Sequence, residues 1–423
     1  MKVKLKKIVS TCLFILILIF ILTKVDATME RKYSYQKYKD FYNQKEDFDV
    51  LFFGTSHMIN AIYPMELWNE YGIVSYNMAN HSENICTNYW QLKNALKYTT
   101  PKVVVVDLYA IDGDNKVNLK YLHNLTDTMP FTLTKCRLVF DLLPKDQWAE
   151  YLFELSIYHA RWDDDDFSKE DFFPEEDCQK GAELRNDVCP NPSPELIPKT
   201  EYDATDRINK EYLQKIIDLC KTKGIDIVLT YLPYSAPISH QYPANFGYYI
   251  AEKNNIPYIN FLYEDVIDYQ TDCADEGSHL NVDGARNISA YMGAYLQHNY
   301  QIEDHRQDSA YQYWHEDYEK YFEFKKKEIN NANSIWSYLA MLYDKDLECT
   351  LFWSEDSLIK EDALFMEFVN NMNSIGNIEY KKETQNNIVK FVVKRRNTDE
   401  VIDMTEIVGN DKSEYVLKKQ EDR

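Results

Sequence analysis

Asp49-Val-Leu-Phe-Phe-Gly-Thr-Ser-His57 reads as a buried strand that ends abruptly. Val50 to Phe53 is apolar, Gly54 breaks the run, and Ser56 follows two positions later. In open α/β sheets, a strand that stops at a glycine presents the next side chains at the carboxyl edge of the sheet, where these folds carry their reactive groups. Four further stretches have the same character: Ile73–Met78, Lys102–Leu108, Ile225–Leu232 and Pro257–Leu262. Each is short, apolar and rich in β-branched or aromatic residues, as strands covered on both faces are.

Helical patterns fall between these runs. Pro64 suits the first turn of Met65–Tyr71, which Gly72 closes. Glu83–Tyr98 carries Ile85, Tyr89, Leu92 and Leu96 at helical spacing. Asp206 opens a helix with Ile208, Tyr212, Leu213, Ile216 and Leu219 on one side and Gly224 at its end. Asp283 is placed to cap a helix over Gly284–His298. Strand and helix in alternation predict an α/β fold, a three-layer α/β/α sandwich around a parallel sheet.

A serine hydroxyl is a weak nucleophile and needs an imidazole within hydrogen-bond reach. The imidazole needs an acid to fix its tautomer, and the reacting carbonyl needs donors for its oxyanion. Far down the chain, Asp275-Glu-Gly-Ser-His-Leu-Asn281 supplies a histidine with acids three and four positions before it. Ser56 is therefore the expected nucleophile and His279 the expected base, with Glu276 as orienting acid and Asp275 as its substitute. His57 and Asn77 are expected beside the substrate, although Asn77 also suits a role in fixing its loop. No second histidine lies at metal-site spacing, so neither a metal nor another cofactor is called for.

Gly54-Thr-Ser-His57 resembles the Gly-x-Ser first block of the SGNH/GDSL hydrolases, and Glu276-Gly-Ser-His-Leu-Asn281 with Asp283-Gly284 is similar to their Asp-x-x-His-Leu-Asn closing block. Tyr76-Asn-Met-Ala-Asn80 resembles their Tyr-Asn-Leu-Gly block, which implies oxyanion donors near Ala79 and Asn80. The Gly-x-Asn-Asp block is missing: Val103–Val106 runs into Asp107-Leu-Tyr-Ala110. The order of apolar N-terminus, early serine and late histidine looks like the membrane-tethered SGNH proteins that accompany membrane-bound O-acyltransferases, among them the D-alanyl transfer proteins of teichoic acid biosynthesis. The resemblance implies acyl transfer to, or removal from, a cell-envelope polysaccharide or teichoic-type polymer. The missing block fits an alternative, a catalytically degenerate domain that binds glycan or docks to the membrane acyltransferase.

The ends of the chain set its expected location. Lys2, Lys4, Lys6 and Lys7 precede an apolar run from Ile8 to Thr23. At about 1.5 Å per residue that run is near the lower limit for crossing a bilayer. The flanking lysines favour a single-pass anchor with the C-terminal part outside; Val25-Asp-Ala27 is a weak cleavage site for the competing signal-peptide reading. Expected units are residues 1–27 as anchor or signal, 28–48 as a polar stalk or short helix, 49–300 as the catalytic domain with an insertion at about 112–200, and 301–423 as a small α+β domain. That last unit is expected to hold strands at Leu347–Trp353, Asn387–Val393 and Val401–Ile407 and a helix from about Ser357 to Met372.

The formal net charge is −22, so a nucleic-acid partner, which requires a basic face, is excluded. The run Asp163–Asp166 lacks the alternating spacing and glycine of a calcium loop and reads as a solvated loop. Eight cysteines show no C-x-x-C pair; Cys178 and Cys189, flanking a polar loop, are candidates for a disulfide.

Overall fold

The computed structural model describes residues 2–29, 32–44, 47–112, 117–174, 176–204, 207–354, 357–383, 388–409 and 415–419. Helix α1 (Lys2–Met29) leaves its large apolar side chains exposed from Leu5 to Val25. It is the one helix among the described residues long and apolar enough to cross a membrane. The expected stalk is helix α2 (Lys32–Asn43), but it does not stand free of the body. Tyr38 and Phe41, one turn apart, are buried in the main core, where Phe41 stacks on Phe48. Its lysines and other polar residues concealed that amphipathic face.

The sheet follows the expected order of elements. Strand β1 (Val50–Phe53) leads into α3 (Ser56–Ala61) and α4 (Pro64–Tyr71). Next come β2 (Ser75–Asn77), α5 (Ile85–Ala95) and β3 (Val103–Asp107). The inserted segment holds α6 (Leu119–Thr126), α7 (Leu133–Leu142), α8 (Trp148–Leu152) and α9 (Leu155–Tyr158). The α/β pattern resumes with α10 (Arg207–Lys223), β4 (Asp226–Tyr231), α11 (Ile238–Asn254) and β5 (Tyr258–Asn260). All five predicted strands form one parallel sheet in the order β2-β1-β3-β4-β5. Val50–Phe53 and Val103–Val106 are buried on both sides, each face of the sheet being covered by its own apolar cluster. In this order the chain reverses direction between β1 and β3, so their carboxyl ends open a crevice there.

A short hairpin, β6 (Cys273–Ala274) against β7 (His279–Leu280), precedes α12 (Val282–Asn299). The cap of α12 differs from expectation. Asn281, not Asp283, accepts from the amides of Asp283 and Gly284. The Asp283 carboxylate is buried with no hydrogen-bond partner, and burial pushes it well above the usual range. Asp206 lies outside the described residues. Gly72 caps α4 in the left-handed conformation at φ 67°, as its position implied.

The polar, tyrosine-rich stretch after residue 310 is a helix, α13 (Gln312–Asn331). Trp314, Tyr318 and Tyr321 sink into the same core as α2 and β1. Helix α14 (Ile335–Leu342), β8 (Leu347–Trp353), α15 (Ala363–Ser374), β9 (Ile378–Lys382), β10 (Val389–Arg395), β11 (Val401–Gly409) and β12 (Tyr415–Lys419) complete a second sheet, ordered β12-β11-β10-β8-β9. Strands β9 and β12 were not foreseen, because their largely exposed sequences lack an apolar run.

One buried ion network ties the two sheets' helices together. Asp344, just after α14, meets Arg286 of α12 at 2.8 Å and Lys325 of α13 at 2.8 Å. Glu66 of α4 lies 3.5 Å from Lys325. Burial alone would raise the Asp344 carboxyl, but Arg286 and Lys325 outweigh it and pull it down to about 2. Removing one partner of such a group strands a buried charge, which costs about 3–5 kcal/mol. Asp344→Ala is therefore expected to lower unfolding stability by that amount, read from the urea midpoint. In the wild type, this contribution is present above the unfolded-state pKa near 3.8 and fades as pH falls toward about 2.

Candidate active site

Gly54 closes β1, and the chain turns at once into α3. A Cβ at Gly54 would lie 2.9 Å from the Cβ atoms of both Asp107 and Met58, so the turn requires a residue without a side chain. Thr55 caps the helix by accepting from the His57 amide at 3.3 Å. Ser56 thereby occupies the first helical position at the carboxyl edge of the sheet, half-buried. On the other side of the crevice the β6–β7 hairpin turns through Asp275, Glu276 and Gly277, all at positive φ, and delivers His279.

The two converge. His279 Nε2 lies 2.8 Å from Ser56 Oγ. The opposite ring nitrogen, Nδ1, faces Asp275 Oδ2 at 3.2 Å and Ser278 Oγ at 3.2 Å. With Nδ1 protonated toward the carboxylate, Nε2 is free to accept the serine proton, a tautomer inferred from the network. Of the two candidate acids, Asp275 is the one at the imidazole. Glu276 is exposed and makes no hydrogen bond to His279; its left-handed backbone at φ 55° turns it out of the hairpin.

Asp275 is half-exposed, and a second group holds it: Arg185 Nη1 donates to Asp275 Oδ2 at 2.8 Å while its Nε and Nη2 grip Asp187. Arg185 chiefly keeps the Asp275 carboxyl below the usual range. The insertion delivers this arginine by running beside the hairpin, with Cys189 N–H donating to the Cys273 carbonyl at 2.8 Å and Val282 N–H to the Arg185 carbonyl at 2.7 Å. No sequence signal marked Arg185, since its partner lies 90 residues away.

The other expected site residues are placed differently. His57, expected beside the substrate, is enclosed by its neighbours. It is buried, stacked on Tyr109 at 3.7 Å between centroids, with its ring 4.9 Å from those of Tyr234 and His279. Burial first, then the neighbouring histidines, hold it well below 6.5 and neutral. Asn77 is fully buried and donates to the carbonyls of Met58 and Ile62 at 2.8 and 3.0 Å, fixing α3 against β2 rather than facing substrate. The Ala79 amide is taken by Asn77 Oδ1 at 3.2 Å, and the Asn80 amide points at the Gly54 carbonyl at 3.4 Å. The Asn80 side-chain amide donates to Tyr121 O. The backbone amides of Ala79 and Asn80 are thus both engaged, whereas the Asn80 side-chain amide carries a second N–H besides the one given to Tyr121 O. The missed residue at this edge is Asp107, ending the four-valine strand. It is buried, accepts from the Tyr109 and Leu232 amides at 3.1 and 3.0 Å, and is pushed up to about 7 by burial.

The candidate disulfide is not formed, Cys178 and Cys189 both being free thiols. Among the described residues no group of three or more His, Cys, Asp and Glu side chains converges to hold a metal ion. The cavities of about 460 and 500 Å³ are lined by other residues than Ser56 and His279.

No family model matches the chain, and no curated protein is a match. Among solved structures, it is similar to a protein of Bacteroides fragilis provisionally described as an acylhydrolase, at 9% identity and a TM-score of 0.33, over 64% of this chain and 99% of the other. It is also similar to a GDSL-like lipase of Bacteroides thetaiotaomicron, at 10% identity and a TM-score of 0.32, over 62% of this chain and 97% of the other. At this distance the site must be read from its own geometry.

That geometry sets the pH behaviour. Burial, and then the Arg185 charge, lower the His279 imidazole below 6.5, with Asp275 partly opposing them. An imidazole acting as base is inactive when protonated, so the acid limb of kcat/KM is expected below pH 6.5. Arg185→Met removes a charge that repels the imidazolium and shifts this limb to higher pH. Asp275→Asn removes an attractive one and shifts it to lower pH. Rate profiles of the two variants on an activated ester check the opposed signs.

Proposed function

We propose that this protein is a serine-dependent acyl-group enzyme, an esterase or acyltransferase, that works outside a membrane on a cell-envelope polysaccharide or teichoic-type polymer. The single observation behind this reading is the 2.8 Å approach of Ser56 Oγ to His279 Nε2, with Asp275 on the far side of the ring. In the proposed mechanism His279 takes the Ser56 proton as Oγ attacks the acyl carbonyl. The tetrahedral intermediate collapses to a Ser56 ester as imidazolium protonates the leaving oxygen. A second hydroxyl, from water or a glycan, then loses its proton to His279 and receives the acyl group. Asp275 stays ionised throughout and stabilises the imidazolium, with Arg185 setting its position.

The proposed location draws its support from α1, and the proposed acceptor rests on that location. A basic start and an apolar helix favour a retained anchor with residues beyond it outside the membrane. An enzyme tethered there meets envelope polymers and the products of a membrane-bound O-acyltransferase, the partner this reading favours. The alternative, a degenerate domain that only binds glycan or docks to such an acyltransferase, draws on one observation: the amides of Ala79 and Asn80 are already engaged.

A fluorophosphonate probe separates the two. The full chain in detergent is expected to be labelled at Ser56, and Ser56→Ala to abolish both labelling and ester turnover while retaining the wild-type melting temperature. A folded wild-type protein that is neither labelled nor active on acylated envelope polymer supports the binding role instead. Asp275→Asn should lower kcat by about 10–100-fold, less than for a buried acid because this carboxylate is half-solvated, whereas Glu276→Gln should leave kcat near wild type.

A further inference from the structure

The described residues expose few large apolar side chains beyond α1, and about half of those fall within residues 119–173, in the insertion. Phe131, Leu133, Phe153 and Phe173 are 68, 77, 70 and 83% exposed, and Phe140, Trp162 and Phe172 are also exposed. Exposed patches this apolar mark a surface that another apolar phase covers.

Their position identifies that phase. The segment wraps the outer end of α1. Phe131 and Phe153 line the apolar side of a cavity of about 460 Å³ shared with Ile19 and Leu22 of α1, whose polar end holds Asp26, Lys135 and Glu154. Arg161 Nη1 donates to the Met29 carbonyl at 3.0 Å and is locked in place by Asp171 at 2.7 Å. Ile19 lies four residues inside the end of the apolar run at Thr23, about 6 Å along a helix. Side chains packed around Ile19 and Leu22 therefore reach the depth to which interfacial elements sink, about 5–10 Å. The apolar run, about 24 Å long, is shorter than a bilayer core of about 30 Å, and a neighbouring apolar foot relieves that mismatch by thinning the bilayer locally.

We infer that residues 129–173 form a membrane foot: Phe131, Leu133 and Phe153 sit among the outer lipid acyl chains beside α1, so that the body is held on the membrane rather than hanging from a single helix. The inference rests on the reading of α1 as membrane-crossing. It commits to lipid because the patch is continuous with α1. The segment has no basic cluster, and the exposed acids Asp163–Asp166 lie beside Trp162, so binding is by apolar insertion and does not require anionic lipid.

The test uses the full chain reconstituted in phosphatidylcholine vesicles, with the photo-crosslinking residue p-benzoylphenylalanine introduced at one position at a time: Ile15 within α1, Phe131, Phe153, and Tyr380 on β9. All four positions are exposed, so the fold is not at risk. After irradiation, mass spectrometry is expected to find lipid adducts at Ile15, Phe131 and Phe153, with the yield at Phe131 and Phe153 about tenfold above that at Tyr380, as interfacial immersion requires. Adducts at Ile15 but only background at Phe131 and Phe153 overturn the foot and leave the anchor standing. Background at Ile15 as well overturns both. Adducts from Phe131 or Phe153 to a second copy of the chain overturn the lipid assignment in favour of self-association.

Discussion

A hydroxyl and an imidazole separated by 223 positions in sequence are held 2.8 Å apart, and the rest of the architecture can be understood as what that contact demands. One partner is fixed by the sheet. Strand β1 lies centrally between β2 and β3, and its carboxyl end opens where the strand order reverses. Gly54 lets β1 end against Asp107 with no room for a side chain, so the turn into α3 follows directly. The other partner is fixed by the β6–β7 hairpin and by Asn281, whose side-chain amide donates to the Thr271 carbonyl at 2.6 Å while its oxygen caps α12. Both partners thus stand on packed elements rather than on free loops, which is how a separation is kept to within about 0.5 Å.

The charge distribution follows the same division. Deep charges are paired and structural. Asp344, Arg286, Lys325 and Glu66 join four helical regions, and burying them gains stability only because each has an opposite charge within reach. The charges at the crevice are instead half-exposed. Arg185 holds Asp275 at the surface, so the carboxylate stays ionised by a nearby cation rather than by a set of buried donors. His57 goes the other way: it is beside the Ser56–His279 pair yet so desolvated that it remains neutral, and forms an aromatic wall with Tyr109 and Tyr234.

Much of the sheet was legible in the sequence because double-faced burial writes a strand as an unbroken apolar run. Val50–Phe53 and Val103–Val106 are such runs, and the strand ends moved by only a residue or two. The serine and histidine were legible because each sits at a break in a pattern, at Gly54 and at the Glu-Gly-Ser-His turn. What stayed hidden was set by tertiary contacts. Whether Asp275 or Glu276 would face the imidazole depended on a run of positive φ values that no propensity encodes. Arg185 depended on the path of the insertion. The Ala79 and Asn80 amides were assigned by analogy to a block whose glycine this chain lacks, and Asn77 spends its side chain on the turn instead. Helix α13 was masked by its many charges, although Trp314, Tyr318 and Tyr321 recur at helical spacing.

The insertion joins the two ends of the molecule in a single stretch of chain. Its first part, through Asp171, packs on the outer end of α1 through Arg161 and the α9 turn. Its last part, from Asp177 to Asn191, runs along the active-site edge, where Lys180 O receives the Asn77 amide, Glu183 N–H reaches Ile59 O, and Arg185 meets Asp275. Gly181, at φ 86°, passes with a notional Cβ only 2.1 Å from the Asn77 carbonyl, so this pass is close enough to exclude any other residue. The carboxylate beside His279 Nδ1 therefore owes its placement to a segment anchored at the outer end of α1. The same segment holds the hairpin through Cys189 N–H on the Cys273 carbonyl and supplies the cation that holds Asp275. The insertion is in this sense part of the candidate site, and its absence from the strand-and-helix rhythm of the sequence reflects that it is built on the sheet rather than into it.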